Sequence, residues 1–216
     1  MSDGATKGGK GSDALARRTY HHGRLKEALI EAARTLIEQR GPQGFNLTEA
    51  ARLVGVTPAA PYRHFTDREA LMREVARRGF DMFNARLQAA WSRGQPDPVA
   101  AFSRMGRAYL DFARQEPGYY RSMFTSAQGA PADGPPVEDG SISDANQSFA
   151  LLNEAAGAVL RAGCRPDVDS ARLALTVWAL SHGIATLMLG NYLPETGDCD
   201  AYVLLDTGVW ALIRGA

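Results

Sequence analysis

Residues 46–65, NLTEAARLVGVTPAAPYRHF, decide the fold of this 216-residue chain. Apolar and small side chains recur at helical spacing from Leu47 to Val54, which predicts a short helix with one buried face. Gly55 follows the last periodic residue, and a glycine there can adopt the left-handed conformation that turns the chain. The helix is therefore expected to end in a tight turn, with Val56 packing under the corner.

A second short helix is predicted from Thr57 to Phe65. Threonine suits the N-cap, and Pro58 suits the first helical position, where its missing N–H would have had no partner. The first turn carries only small side chains, so its backbone could approach the floor of a DNA groove. Two short helices joined by a glycine turn predict a helix-turn-helix.

The longer stretch 44–71, GFNLTEAARLVGVTPAAPYRHFTDREAL, resembles the DNA-binding domain of the TetR family of bacterial transcriptional regulators. The likeness covers about three helices and is carried by the order of Ala51, Gly55-Val56, Tyr62, His64-Phe65 and Arg68. It implies two groups of DNA contacts, to phosphates and to base edges: Thr57, Tyr62, His64 and Arg68 for the phosphates, and Pro58, Ala59 and Arg63 for the bases.

Pro61 departs from the family pattern, in which many members have a leucine before the tyrosine. Proline removes a backbone hydrogen bond inside a short helix and can shift its first turn, so the operator sequence is not carried over. Taken singly, Tyr62 and Phe65 are also typical of core aromatics, and Thr57-Pro58 of an ordinary helix start. The DNA interpretation therefore depends on the joint pattern.

Charge is distributed unevenly along the chain, although its formal net charge is zero. Residues 1–80 hold 14 Lys and Arg against 9 Asp and Glu, whereas residues 81–216 hold 10 against 15. A basic N-terminal part joined to an acidic body is typical of a protein that presents one end to phosphates. The asymmetry supports the DNA interpretation without establishing it.

The N-terminal residues 1–16 are rich in glycine and polar side chains, which predicts a mobile tail. A basic run follows, with Arg17, Arg18 and His22 as candidate DNA contacts. It fits two interpretations equally well: an arm laid along the DNA backbone or into the minor groove, or a solvated charge run.

Helical periodicity continues through the chain, and no convincing strand appears, so the predicted fold is all-α. Thr66 and Glu69 are expected to form a capping box that starts a long helix ending near Trp91. The sequence predicts four parts: a tail over 1–16, a three-helix DNA-binding domain over 17–66, a connecting helix over 67–91, and a larger helical domain for effector binding and dimerisation over 92–216. The proline-rich segment 126–140 is predicted to be a mobile loop.

The segment from Trp178 to Gly183, WALSHG, is similar to the WHG-type C-terminal domain of a subset of TetR-like regulators. That resemblance implies a small-molecule effector in this half and a homodimer formed through the last two helices. Apolar and aromatic residues supply the candidate pocket for an apolar or aromatic effector: Phe102, Met105, Tyr109, Met123, Phe124, Phe149, Trp178 and His182. Such residues are as typical of a plain core, and His182 fits either a ligand contact or a hydrogen bond to a backbone carbonyl.

A dimer also follows from how DNA is read, because one short recognition helix covers only a few base pairs. Small residues on the last two helices could allow close approach of a partner or simply fit neighbours within the chain: Ala179, Gly183, Gly208 and Ala211. The expected protein is a cytoplasmic homodimeric repressor that leaves a palindromic operator when an effector tilts the connecting helix.

Other classes have less support from the sequence. No hydrolase, zinc-protease or dinucleotide motif is present, so neither an enzyme nor a cofactor or metal is expected. Two alternatives remain open: a helical interaction module that does not bind DNA, and a thiol redox sensor that uses Cys164 and Cys199. We found no export signal and no run of about 18 apolar residues, so no membrane partner is expected.

Overall fold

The computed structural model describes residues 11–125, 140–163, 168–194 and 200–214, and it describes side chains within 24–124, 146–163, 168–194 and 200–214. These residues form eight α-helices and no strand, which confirms the all-α prediction. The helices, in chain order, are α1 Gly11–Arg40, α2 Leu47–Leu53, α3 Arg68–Trp91, α4 Pro98–Gln115, α5 Pro117–Thr125, α6 Gly140–Ala162, α7 Ser170–Leu189 and α8 Ala201–Arg214. Two 3₁₀ turns, Pro61–Arg63 and Ser92–Gly94, lie between them.

Helix α2 begins and ends as its sequence predicts. Asn46 is its N-cap and forms a capping box with Glu49, in which each side chain accepts from the other residue's backbone N–H at 2.9 and 3.1 Å. Gly55 has a φ of 74°, and the next residue, Val56, donates its N–H to the carbonyl of Ala51 at 3.0 Å. This glycine turn fixes the direction in which the chain enters the following segment.

The cap of α3 differs from the predicted Thr66–Glu69 box. Asp67 is the N-cap, and its Oδ1 accepts from the N–H of Ala70 at 2.6 Å. Thr66 instead donates its hydroxyl to the Asp67 carboxylate at 3.2 Å. The prediction was wrong by one residue, because a carboxylate adjacent to the free N–H groups is an equally good cap for a helix that starts one position later.

Helix α1 is longer than predicted, since it begins at Gly11, whereas residues 11–16 were assigned to a tail. Alanine, leucine and arginine from position 14 onward are good helix formers, and their propensity extends the helix past the amphipathic stretch that the sequence showed. Side chains before residue 24 lie outside the described residues. The DNA-contacting arm with Arg17, Arg18 and His22 therefore stays a prediction.

Helix α3 is central, since it packs against α1, α4, α5 and α6. Its buried face carries large apolar side chains along the whole helix, from Leu71 through Phe80, Phe83 and Leu87 to Trp91. At its end the Trp91 indole donates to the carboxylate of Glu154 at 3.4 Å. We call α1, α2 and the start of α3 the N-terminal bundle, and the rest of α3 with α4–α8 the C-terminal bundle. Helix α3 thus belongs to both.

Helix α5 also joins the two bundles, because it packs on α1. A Cβ atom at Gly118 would lie 2.5 Å from the carbonyl oxygen of Arg34, so the close approach of the two helices requires glycine there. Tyr119 donates its hydroxyl to Glu31 at 2.7 Å, and Arg121 donates to the carbonyl of Glu38 at 2.7 Å.

Helix α7 is long and apolar enough to cross a membrane by length and composition alone, with a mean hydropathy of 1.3 over its most apolar window. Polar residues such as Ser181 and His182 interrupt it, so the sequence of α7 contains no unbroken run of about 18 apolar residues. The helix packs against α4, α6 and α8, and 33% of this apolar stretch is buried within the protein. The predicted loop 126–140 falls outside the described residues except for Gly140, with which α6 begins.

Candidate functional site

The segment from Thr57 to Phe65, called the recognition segment below, is not the regular helix that its sequence predicted. The carbonyl of Thr57 accepts from the N–H of Ala60 at 3.0 Å, and the N–H of His64 bonds back to Pro61 at 2.9 Å. In an α-helix the Thr57 carbonyl would take the N–H of residue 61, which proline lacks. The segment therefore closes as a turn followed by a 3₁₀ turn, and Pro61 is the physical reason.

Two residues anchor the recognition segment and leave its other side chains on the surface. Pro61 is fully buried and Phe65 is 4% exposed, so both point into the core of the N-terminal bundle. Five of the predicted DNA contacts are exposed, and Tyr62 has 59% of its surface accessible: Thr57, Pro58, Ala59, Tyr62 and Arg63. The segment thus presents a hydroxyl, a phenol and a guanidinium outward.

Two of the predicted contacts, His64 and Arg68, are partly buried. The His64 ring lies 6.5 Å from the Phe65 ring, on the flank of the anchor. Arg68 donates to the carbonyl oxygens of Pro42 and Phe45, the former through a very short contact and the latter at 3.0 Å. Its guanidinium also lies 5.0 Å from the centre of the Phe45 ring. Arg68 therefore braces the loop before α2, a role that the sequence did not indicate.

A second candidate site is a cavity of about 330 Å³ inside the C-terminal bundle. It lies among α3, α4, α5, α6, α7 and α8, and most of its wall is apolar or aromatic. The lining residues are Phe80, Phe83, Leu87, Val99, Phe102, Ser103, Met105, Gly106, Tyr109, Phe124, Asn146, Ser148, Phe149, Leu152, Val159, Leu175, Val177, Trp178, Ser181, Leu205, Asp206, Val209, Trp210 and Ile213. A space of this size and lining is typical of a small-molecule site.

The structure brings most of the predicted pocket residues together at this cavity: Phe102, Met105, Tyr109, Phe124, Phe149 and Trp178 all line it. Met123 does not, because it is 2% exposed and packs on α3, where a Cβ at Gly79 would lie 2.9 Å from its sulfur. His182 does not line the cavity either, although it contacts residues that do.

His182 lies beside two buried tyrosines. Its Nδ1 is 2.9 Å from the hydroxyl of Tyr120 and 3.3 Å from that of Tyr109, and the two hydroxyls are 3.2 Å apart. Burial lowers the pKa of the imidazole, and it raises the pKa of both phenols. A neutral imidazole whose Nδ1 accepts a hydrogen bond from a protonated phenol is consistent with the lowered imidazole pKa and the raised phenol pKa values. The sequence left two roles open for His182, a ligand contact or a bond to a backbone carbonyl, and the structure shows a third, with Nδ1 against these two phenols.

Sequence reasoning missed the contribution of α3 and α8 to the cavity wall. Phe80 and Phe83 lie on the buried face of α3, and Trp210 lies on α8. Helical spacing does not show whether a side chain on such a helix borders a cavity. Asp206 was also missed, because a carboxylate on an apolar helix has no distinctive sequence signal. It accepts from Ser103 at 3.0 Å and from Arg107 at 2.6 Å.

Four exposed apolar side chains on α7 and α8 are called the apolar stripe below, and two of them, Leu175 and Trp178, also line the cavity. The members of the stripe have between 38% and 53% of their surface exposed: Leu175, Trp178, Leu187 and Val203. A Cβ at Gly183 would meet nothing within 4 Å, whereas one at Gly208 would lie 2.7 Å from the Leu180 side chain. Gly208 therefore serves packing within the chain, and Gly183 leaves open space on the stripe.

The exposed recognition segment that follows α2 at one end and the apolar cavity within a helical bundle at the other form the arrangement of a DNA-binding transcriptional regulator with a ligand-binding domain. Family comparison agrees in both halves. Residues 29–75 match the family described as bacterial regulatory proteins, tetR family, and residues 102–209 match the tetracyclin repressor-like C-terminal domain. The chain belongs to the TetR family of bacterial transcriptional regulators. This confirms the predicted family, whose members are regulators rather than enzymes.

Solved structures with the same fold include proteins of related and of distant sequence. A protein of unknown function from Rhodococcus sp. RHA1 is 30% identical, with a TM-score of 0.74 over 91% of this chain and 97% of that one. The TetR family transcriptional regulator PfmR from Thermus thermophilus is 17% identical, with a TM-score of 0.68 over 86% and 97%. AibR, solved with isovaleryl coenzyme A and operator DNA, is 20% identical, with a TM-score of 0.64 over 88% and 98%.

A curated relative is the uncharacterized HTH-type transcriptional regulator YobS of Bacillus subtilis (strain 168). It is 27% identical over 100 residues, which cover 46% of this chain and 51% of YobS. The match thus spans about half the length of that relative. The redox alternative is not addressed by the structure, since Cys164 and Cys199 both lie outside the described residues.

Proposed function

We propose that this protein is a cytoplasmic homodimeric repressor that leaves a palindromic operator when a small apolar or aromatic molecule enters the cavity. The observation that carries the proposal is the shared use of α3, whose first residue braces the helix-turn-helix and whose middle lines the cavity. A ligand that displaces this helix acts on both sites at once.

The proposed DNA contacts are the exposed side chains of the recognition segment. Tyr62 and Arg63 extend from the 3₁₀ turn. Thr57 and Pro58 lie at the start of the recognition segment, beside the glycine turn. A hydroxyl, a phenol and a guanidinium on one surface are suited to phosphate oxygens and base edges. Arg68 positions the segment from behind, so its effect on binding is expected to be indirect.

The proposed dimer interface is the apolar stripe on α7 and α8. Four large apolar side chains exposed on two neighbouring helices are unusual for a surface that faces water. Gly183 in the middle of the stripe would allow close approach of the same helix from a second copy. A dimer places two recognition segments on successive major grooves of a palindrome, about 34–36 Å apart.

The proposed coupling follows the two helices that join the bundles. Phe80 and Phe83 line the cavity about 18–22 Å along α3 from Arg68, at 1.5 Å per residue. Phe124 lines it from α5, whose Tyr119 holds Glu31 on α1. An effector that binds more tightly to a tilted arrangement of α3 and α5 shifts the dimer toward it and spoils the half-site spacing.

The test is fluorescence anisotropy of the protein on DNA that flanks its own gene, across a salt series, with the variants Tyr62→Ala and Tyr192→Ala. Both tyrosines are exposed, at 59% and 78%, but Tyr192 follows α7 and lies outside the proposed DNA contacts. We expect salt-sensitive binding that falls by about tenfold or more in Tyr62→Ala, since removing a phosphate contact weakens binding at every sequence. Tyr192→Ala should bind like the wild type.

Two results would contradict the proposal. Equal loss in both tyrosine variants would mean that the recognition segment is not specifically involved, and a monomer in sedimentation equilibrium would remove the dimer. If the flanking DNA is not bound, selection from random DNA separates a distant operator from the alternative of a helical interaction module. Such a module would select no sequence and show little dependence on salt.

A further inference from the structure

Asp206 is the one acidic or basic side chain among the described residues that line the cavity. It lies on α8, where its two carboxylate oxygens face different partners. Oδ1 accepts from the Ser103 hydroxyl at 3.0 Å, and Oδ2 lies 2.6 Å from a guanidinium nitrogen of Arg107. Both partners belong to α4, so Asp206 carries a paired rather than a lone charge at the α4–α8 wall, in an ion pair that is partly exposed to solvent (Asp206 30%, Arg107 53%).

Three other polar side chains of the described wall, Ser181, Ser148 and Tyr109, are also engaged within the protein. Ser181 donates to the carbonyl of Val177 at 2.8 Å, and Ser148 donates to the side chain of Asn84. The Tyr109 hydroxyl is within hydrogen-bond distance of Tyr120 and His182. A ligand in the cavity therefore meets mostly carbon surface and aromatic rings.

An ion that enters such a cavity loses its hydration and finds no opposite charge to replace it. An uncharged aromatic molecule loses little on leaving water and gains apolar contact with the rings. Whether the Asp206 carboxylate is paired decides whether the cavity favours an uncharged molecule or an ion. With Arg107 in place the wall is neutral, and without Arg107 an anionic oxygen would face the ligand.

We propose that the cavity takes an uncharged aromatic molecule, and that Arg107 sets this preference by neutralising Asp206. The proposal rests on the proposed function only in treating this cavity as the effector site. It goes further by naming a residue pair that selects the ligand by charge. Arg107 acts here through Asp206, so it is a positioning residue rather than a ligand contact.

The test uses three probes that share one ring system and differ in charge: 1-naphthol, 1-naphthoate and 1-naphthylmethylammonium. Isothermal titration on the DNA-free dimer at neutral pH gives the affinity and stoichiometry for each probe. We expect one molecule of 1-naphthol per chain, bound about tenfold or more tightly than either ion, because each ion must give up hydration without a partner. Tighter binding of either ion to the wild type would overturn the proposal.

The variant Arg107→Ala should create a preference for the ammonium probe over 1-naphthoate. We expect the ammonium probe to gain about tenfold in affinity while 1-naphthol changes by less than about threefold, since only the charge of the wall has changed. Arg114→Ala is the matched control. Arg114 lies on the same helix, is similarly exposed (59% against 53%) and pairs with an aspartate, but its partner Asp111 does not line the cavity, whereas Asp206 does.

A second variant, Asp206→Asn, keeps the test valid if Arg107→Ala folds poorly. It removes the carboxylate and leaves Arg107 in place, so 1-naphthoate should gain relative to the ammonium probe. If the relative affinities of the three probes are unchanged in both variants, the role of the pair is overturned. An equal change of affinities in the Arg114→Ala control would overturn it as well. The DNA titration contains no probe, so failure of the charge preference and failure of the DNA-binding proposal are separate results.

Discussion

The recognition segment and the cavity differ in where the side chains proposed for function lie relative to the core. In the recognition segment the buried residues, Pro61 and Phe65, are anchors, and the side chains proposed for function point away from the protein. At the cavity the side chains proposed for function are themselves the core, since Phe83 and Tyr109 are 3% and 5% exposed. If the proposed sites are used, function and stability depend on different residues at the DNA end and on the same residues at the cavity end.

The largest expected effect is the difference in the free energy of unfolding between Phe83→Ala and Tyr62→Ala, and it tests this contrast directly. Phe83 has ring contacts with Tyr109 and Phe112, each with centroids 5.2 Å apart, and its loss enlarges the cavity. We expect the free energy of unfolding to fall by about 3–5 kcal/mol for Phe83→Ala and by less than about 0.5 kcal/mol for Tyr62→Ala.

Urea unfolding followed by circular dichroism measures both values. A loss below about 1.5 kcal/mol for Phe83→Ala would show that the cavity wall relaxes around the missing ring. In that case the cavity end is more adaptable than its packing indicates, and the contrast with the recognition segment weakens.

The same contrast explains which features could be predicted from the sequence. The helices, the glycine turn at Gly55 and six of the eight pocket residues follow from periodicity, which reports which side of a helix is buried. Periodicity does not report what a buried residue faces. Met123 and Phe124 are adjacent in sequence, yet only Phe124 lines the cavity, because α5 packs one face on α3 and turns another toward α7.

Local competition between polar groups set the other limit on prediction. Asp67 replaced Thr66 as the cap of α3, although both residues are good caps and stand side by side. The role of Arg68 is also ambiguous in the sequence, because a basic residue at the start of a helix can bind a phosphate or a carbonyl equally well. Only the position of the loop over residues 42–45 decides between these roles, and that position depends on tertiary packing.

A smaller effect is expected at Arg68, where the question is whether the DNA end depends on charge or on geometry. Arg68→Lys keeps the charge but loses the planar fork that reaches Pro42 and Phe45. We expect it to lower the free energy of unfolding by about 1–2 kcal/mol and to weaken operator binding nearly as much as Arg68→Ala does, because the brace is lost in both.

The two Arg68 variants are compared by urea unfolding and by anisotropy on the same operator. Full binding by Arg68→Lys beside weak binding by Arg68→Ala would show that the positive charge contacts a phosphate directly. The result would then return Arg68 to the set of DNA contacts that the family resemblance implied.

The smallest expected effect lies in the pH dependence of stability at His182. Burial lowers the pKa of the folded imidazole below its ordinary value of 6.5. Between these two pKa values the unfolded chain binds more protons than the folded chain, so the free energy of unfolding falls as the pH drops below 6.5. Glu27, Glu31 and Glu74 also have lowered pKa values, but their ordinary value is 4.5, so they add to acid destabilisation only at lower pH.

Urea unfolding between about pH 7.5 and pH 5.5 therefore isolates histidine from these carboxylates. His182→Asn places an uncharged oxygen near the position of Nδ1, where it can still accept from Tyr120, and it should flatten the loss of stability across this range. An unchanged slope would mean that the imidazole is hydrated and outside the tyrosine cluster. The wall between the cavity and the apolar stripe would then be open to water beside Trp178, and the strict division between an outward-facing DNA end and an inward-facing cavity end would fail there.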